Sequence, residues 1–63
     1  RPYDILDFPH FYLLPEHRAY LHGNPIEVDK PDGYYGIFLD DTLLGAAIAE
    51  GGQLRVVFNL PNS

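Results

Sequence analysis

The sequence predicts a small α+β pseudo-barrel, mostly β, with about five short, mainly antiparallel strands and one short helix. Apolar residues make up 46% and aromatic residues 14% of only 63 residues, a composition that favours a packed domain over a disordered segment. Three strand-like runs follow Gly33, and turn-forming residues separate them. One helical segment precedes them, with a proline near its start and a glycine at its end.

The domain itself is predicted to cover residues 8–60. Residues 1–7 are interpreted as a linker from a preceding domain, and residues 61–63 as a frayed C-terminus. We therefore read the chain as part of a longer protein.

The first strand is predicted within residues 8–13. Pro9 cannot donate a ladder hydrogen bond, so this run belongs at a sheet edge or at the start of a strand. The run is aromatic and apolar, and Phe11 and Leu13 lie two residues apart in it.

The helix is predicted from Leu14 to His22. Pro15 suits the first helical position, where its missing N–H costs nothing, and Gly23 supplies the left-handed residue that ends the helix. Arg18 and His22 lie four residues apart and are expected on one exposed face near the C-terminal end.

Four further strands are predicted after the helix. The run Ile26–Val28 alternates as a strand does, and the turn-rich stretch Asp29–Gly33 follows it, with Gly33 placed for positive φ. The connections over residues 40–42 and 51–52 are short enough to force antiparallel hairpins. They separate the last three strands, which are predicted over residues 34–39, 43–50 and 53–58.

Two features of these strands predict where the sheet is irregular and on which side of it the side chains of the last strand lie. Gly36 and Gly45 lie inside strands, where glycine usually marks a bulge or a bend. The last strand has a core stripe of alternate residues, with Arg55 and Val57 on the opposite side. The core stripe is predicted to consist of Leu54, Val56 and Phe58.

Two stretches, "FPHFYLLPEHRAYLHGNPI" and "YYGIFLDDTLLGAAIAEGGQLRVVF", resemble the PUA domain at the C-terminus of TruB-type tRNA pseudouridine synthases. The likeness covers nearly the whole chain from Phe8 to Phe58 and rests on spacing and residue class. It implies a pseudo-barrel that binds structured RNA. It also implies a parent enzyme that isomerises a uridine in the tRNA T-loop, with its catalytic aspartate in a separate N-terminal domain.

The first candidate RNA-binding site is the C-terminal end of the helix. Arg18 and His22 could contact phosphate, while Gly23 and Asn24 let a backbone approach closely. The resemblance implies RNA in a groove beside this helix. The alternative is that basic groups in the last turn only complement the helix dipole, at about 0.3–1 kcal/mol each.

Lys30 and Arg55 are a second, weaker pair of candidates for RNA contact. Lys30 belongs to an exposed turn and Arg55 points away from the core stripe, so both are also explained as solvated charges. Tyr34 and Tyr35 lie on opposite faces of one strand. One ring is expected in the core, and the other could stack on a base or pack on a neighbouring domain. His10 is expected to be a surface histidine.

Charge limits the kind of RNA binding that this chain can perform. Four Lys and Arg residues against nine acidic residues give a net charge of −5, and phosphate neutralisation supplies most non-specific affinity for nucleic acids. RNA contact is therefore expected to depend on a basic catalytic domain that supplies most of the charge.

The sequence predicts no catalytic constellation, metal site or cofactor. There is no cysteine, and the three histidines are not spaced from acidic residues as metal ligands are. Asp40 and Asp41 belong to a hairpin loop, where carboxylates most often accept hydrogen bonds from the loop backbone. No apolar run approaches 18 residues, so no membrane span is predicted, and the expected compartment is the cytoplasm.

These observations predict a non-catalytic RNA-binding domain of a tRNA pseudouridine synthase. Its expected partners are tRNA and the N-terminal catalytic domain of the same protein. The alternative is a small β-barrel module for protein interaction, or a structural module that packs on a neighbouring domain.

Overall fold

The computed structural model describes residues 7–60. The predicted linker therefore lies outside the described residues except for Asp7, and so does the predicted frayed terminus at residues 61–63.

Within residues 7–60, five strands form a single curled sheet, a half-barrel, and one 3-10 helix accompanies it. The strand order is β1-β3-β4-β5-β2, with β1 parallel to β3 and every other pair antiparallel. The predicted fold class is confirmed. The elements in chain order are β1 (His10–Tyr12), the helix (Pro15–His22), β2 (Ile26–Glu27), β3 (Gly33–Leu39), β4 (Thr42–Glu50) and β5 (Gln53–Asn59).

Tight turns make the two hairpins that the sequence predicts. Gly51 and Gly52 join β4 to β5 with φ values of 60° and 83°, the pattern that the twist of a two-residue hairpin requires. Asp40 opens the β3–β4 turn with a φ of 54°, a left-handed conformation that aspartate tolerates better than most residues.

The helix has the predicted ends but a tighter winding than an α-helix. Pro15 is its first residue, and Gly23 ends it in the left-handed conformation at a φ of 85°. Near its start the backbone N–H of Leu14 donates to Nδ1 of His17 at 3.0 Å, and His17 itself departs from helical geometry. The eight residues therefore consist of two short 3-10 segments joined at His17, in keeping with the short runs that this form of helix favours.

The core lies on one side of the sheet, and Tyr20 and Ala19 of the helix pack into it. Ile37 and Leu54 are its largest fully buried side chains. Phe11 and Leu13, two residues apart in sequence, are both buried. The buried cluster consists of Phe11, Leu13, Tyr20, Ile26, Tyr35, Ile37, Ala47, Ala49 and Leu54.

Two register shifts bend the sheet. In β4 the pairing passes from Gly45 to Leu43 and leaves Leu44 as an extra residue, so the bulge expected at Gly45 is present. No register shift falls at Gly36, which pairs regularly.

The second register shift places Phe58 on the opposite side of the sheet from the one predicted. Ala46 pairs with Phe58 but Ala47 pairs with Val56, so Val57 is an extra residue in β5. One extra residue reverses the alternation of side chains. Phe58 consequently lies on the side of the sheet away from the core, 44% exposed, and the prediction that it belongs to the core stripe is wrong.

Tyr20 carries a polar group into this core. Its side chain is only 4% exposed, and its hydroxyl has no hydrogen-bond partner among residues 7–60. Burial raises the pKa of Tyr20 to about 12 because the interior disfavours the phenolate.

We expect Tyr20→Phe to stabilise the domain by about 1 kcal/mol, since it removes a buried hydroxyl that has lost its water. Urea unfolding at neutral pH measures this change in the free energy of unfolding.

The raised pKa of Tyr20 also makes the free energy of unfolding depend on pH. Between about pH 10 and 12 the unfolded chain ionises at Tyr20 while the folded chain keeps the proton. The free energy of unfolding should therefore fall over this range in the wild type, and the fall should be smaller in Tyr20→Phe. Equal slopes in the two proteins would contradict the burial of this hydroxyl.

In the part of the chain from residue 7 to residue 60, no helix has the length and apolarity needed to cross a membrane.

Candidate nucleic-acid interface

An open groove runs between the helix and the β3–β4 turn. Its volume is about 560 Å³. The end of β1 leads into one wall, and the end of β3 supplies the opposite wall. The groove is lined by Leu13, Leu14, Pro15, His17, Arg18, Leu21, His22, Leu39 and Asp40.

The two basic residues predicted at the helix end both line this groove. Arg18 and His22 are exposed, and Arg18 forms no ion pair within the described residues. In a 3-10 helix, side chains three residues apart eclipse each other, so Arg18 stacks above Leu21 rather than above His22. Both basic side chains nevertheless border the same space, which leaves a free guanidinium at the groove wall.

His17 has a structural role in the same helix. Its side chain is only 13% exposed, its ring packs on Phe11 at 5.4 Å between centroids, and its Nδ1 accepts the Leu14 N–H. Its Nε2 lies 3.6 Å from a carboxylate oxygen of Glu16. These contacts hold the first turn of the helix, which carries Arg18 into the groove.

The groove also has apolar and acidic walls that sequence patterns did not identify. Leu14, Leu21 and Leu39 are exposed hydrophobic residues beside Arg18. Asp40 closes the far side with an oxygen that can accept a hydrogen bond from a base amino group or a ribose 2′-OH. The sequence predicts a turn at Asp40. The position of this turn opposite the helix, however, depends on how the strands pair in the sheet.

Gly23 and Asn24 form the cap of the helix. The N–H of Gly23 donates to the Tyr20 carbonyl at 3.0 Å, and the N–H of Asn24 donates to the Ala19 carbonyl at 3.1 Å. Both donors are therefore already used, in the pattern of a Schellman motif. The cap is exposed, and nothing lies within 4 Å of a methyl group placed on Gly23, so another backbone has room to approach there.

Lys30 and Arg55 are exposed, but neither lines the groove. Arg55 pairs with Glu50 across 2.7 Å on the surface of the sheet, and Lys30 belongs to the connection between β2 and β3. The structure thus brings Arg18 and His22 together and leaves the second pair of candidates elsewhere.

The adjacent tyrosines divide between the two sides of β3, as expected. Tyr35 is buried and its hydroxyl donates to the Pro31 carbonyl at 2.8 Å. Tyr34 is 51% exposed and stacks on Phe8.

No family model, curated protein or solved structure matches this chain. Over residues 7–60, no group of three or more His, Cys, Asp or Glu side chains could hold a metal ion.

Proposed function

We propose that this chain is the RNA-binding accessory domain of a tRNA pseudouridine synthase. In this proposal it performs no chemistry itself, and a separate catalytic domain isomerises the uridine. Its task is to extend the contact with tRNA, so that the substrate is held in position through phosphate and shape contacts. The resemblance of its two sequence stretches to the PUA domain is the reason for naming this class of enzyme.

The observation that carries the proposal is the free guanidinium of Arg18 at the edge of an open groove. It lies beside His22 and beside the exposed leucines of the groove wall. A cation next to an apolar wall suits a nucleotide, because phosphate and base need different partners within a few ångströms. An ordinary solvated arginine needs no such wall.

Four of the nine acidic residues lie at the other end of the sheet from this site, whereas Asp40 lines the groove and Asp41 follows it in the same turn. Asp32 accepts the N–H of Gly51 there, at the β4–β5 hairpin. The groove lies at the opposite end of β3, and seven strand residues span roughly 20 Å. That distance exceeds the screening length of about 8 Å at physiological salt. The carboxylates at the far end are Glu27, Asp29, Asp32 and Glu50.

Removing the charge of Arg18 tests the groove. We expect Arg18→Gln to lower the slope of log affinity for tRNA against log salt by about one phosphate contact. Fluorescence titrations of labelled tRNA at several salt concentrations measure this slope. Lys30→Gln removes the same charge from an exposed site outside the groove and is the matched control.

If Arg18→Gln and Lys30→Gln leave the salt dependence equally unchanged, the groove is not the phosphate contact. An absence of any tRNA binding by the wild-type chain and by the protein that contains it would overturn the proposed function as a whole.

A further inference from the structure

The helix begins with a cap that contains a histidine. The backbone N–H of His17 donates to the Leu14 carbonyl at 2.8 Å, which is an ordinary 3-10 turn. In return, the backbone N–H of Leu14 donates to Nδ1 of His17 at 3.0 Å. His17 thus holds the third helical position of a capping box, a place that glutamate or glutamine commonly takes. Histidine differs from both because it gains a proton between about pH 8 and pH 5.

The bond from Leu14 fixes the protonation state of the ring. An imidazole nitrogen that accepts an N–H bond uses its lone pair, so the single proton of the neutral ring resides on Nε2. In the doubly protonated ring both nitrogens are donors. Nδ1 of His17 would then carry a proton against the Leu14 N–H across 3.0 Å. The cap can therefore form only with the neutral ring.

The packing of His17 leaves the charged ring no equivalent position. Its side chain is mostly buried, and the ring packs on Phe11 of β1 at 5.4 Å between centroids. Turning the ring over in place would set a carbon where Nδ1 now lies, and a carbon accepts no hydrogen bond from Leu14. Protonation therefore removes the side-chain half of the cap in either orientation of the ring.

The charged groups around His17 do not restore what the cap loses. Glu16 has a carboxylate oxygen 3.6 Å from Nε2 and favours the cation, but this side chain is exposed and water weakens the attraction. Phe11 brings no charge from β1. Within residues 7–60 no charged side chain is buried. The other charged or titratable residues that line the groove with His17 are Arg18 and His22 of the helix and Asp40 of the β3–β4 turn.

We infer that His17 is a pH-sensitive cap, which loosens the start of the helix when its ring gains a proton. Loss of the bond from the Leu14 N–H removes one of the two hydrogen bonds between Leu14 and His17. The start of the helix forms a wall of the groove, since Leu14, Pro15 and His17 all line it. Acidification therefore alters the groove at the wall next to Arg18, whatever the groove binds.

Nuclear magnetic resonance of the full chain tests the cap. A long-range 1H–15N spectrum at about pH 7.5 should show the His17 ring protonated at Nε2 and bare at Nδ1. Protection of the Leu14 amide against hydrogen exchange, relative to the intrinsic rate at each pH, should fall about fivefold between about pH 7.5 and 5.5, the factor that one net hydrogen bond of ~1 kcal/mol gives. Val28, whose N–H donates to the Gly52 carbonyl at the far end of the sheet, is the internal reference.

Two variants separate His17 from the other histidines. His17→Gln keeps a hydrogen-bond acceptor at the capping position but cannot gain a proton, so its Leu14 amide should be equally protected at both pH values. His22→Gln removes an exposed histidine of the same helix and should keep the fivefold fall.

Each result either supports the cap or overturns it. A neutral ring protonated at Nδ1, or equal protection of Leu14 at both pH values in the wild type, would overturn it. A fall that persists in His17→Gln would come from another group, and a fall that Val28 shares would come from the whole domain, so either would also overturn it. Loss of the fall in His17→Gln but not in His22→Gln supports it. None of these measurements uses RNA, so their outcome is independent of the proposed function.

Discussion

Gly45→Ala is expected to lower the free energy of unfolding of the domain by about 3 kcal/mol or more. A methyl group on Gly45 would collide with the carbonyl oxygen of Phe58 and lie 2.8 Å from Cα of Asn59. Both obstacles are backbone atoms of the paired strand β5, so no side chain can turn away to relieve them. The pairing of β4 with the end of β5 would have to open.

The expected cost of Gly45→Ala is large compared with the free energy of unfolding of so short a chain. A domain of 63 residues typically has a free energy of unfolding of roughly 3–9 kcal/mol. Overpacking alone costs about 1–3 kcal/mol, and a backbone collision inside a sheet lies at or beyond the upper end of that range. Urea unfolding followed by circular dichroism should show a midpoint far below that of the wild type.

Gly51→Ala is the matched control for this experiment. Gly51 also has positive φ, 60°, but nothing lies within 4 Å of the added methyl group. Only the left-handed conformation is then penalised, at about 1–2 kcal/mol. Equal losses in the two variants would show that β4 and β5 do not approach each other as closely at Gly45 as described.

Leu54→Ala is expected to cost about 2–5 kcal/mol, the range for a large aliphatic side chain removed from a packed core. Leu54 is fully buried, and it pairs with Ile26 on one side and Ala49 on the other. Its loss would leave a cavity where β2 joins the sheet. Because β2 has only two residues, little else compensates.

Chemical denaturation of Leu54→Ala and Leu21→Ala compares the loss in free energy of unfolding at a core leucine with that at an exposed one. Leu21 is an exposed leucine on the helix, and alanine favours helical structure, so its replacement should change the free energy of unfolding by less than about 1 kcal/mol. A loss in Leu54→Ala no larger than in Leu21→Ala would contradict a core centred on Leu54.

Most boundaries of the fold were predictable because they depend on neighbouring residues. The Gly51–Gly52 hairpin needs two positive φ values in a row, which glycine adopts without strain. Pro15 and Gly23 likewise mark the start and end of the helix by their own backbone preferences. The strand predicted within residues 8–13 likewise contains β1, which spans His10–Tyr12.

The candidate site was only partly predictable for the same reason. Arg18 and His22 are near in sequence, so their common position at the helix end could be inferred from spacing. The groove walls Leu39 and Asp40 come from a distant turn, and no local pattern indicates that they face the helix. The ring contacts of Phe38 with His10 and Tyr12 depend on the pairing of β1 with β3, which are separated in sequence by the helix and β2.

The sequence by itself determined where elements begin and end, because turns, caps and alternation are properties of a few adjacent residues. Tertiary structure alone decided three features: the parallel pairing of β1, the bulge that places Phe58 away from the core, and the position of Arg18, Leu39 and Asp40 around one groove. These features arise from how strands register across the sheet. A single extra residue in one strand moves the side chains that follow it to the other side of the sheet. The position of that bulge depends on the pairing with the neighbouring strand rather than on the residue itself.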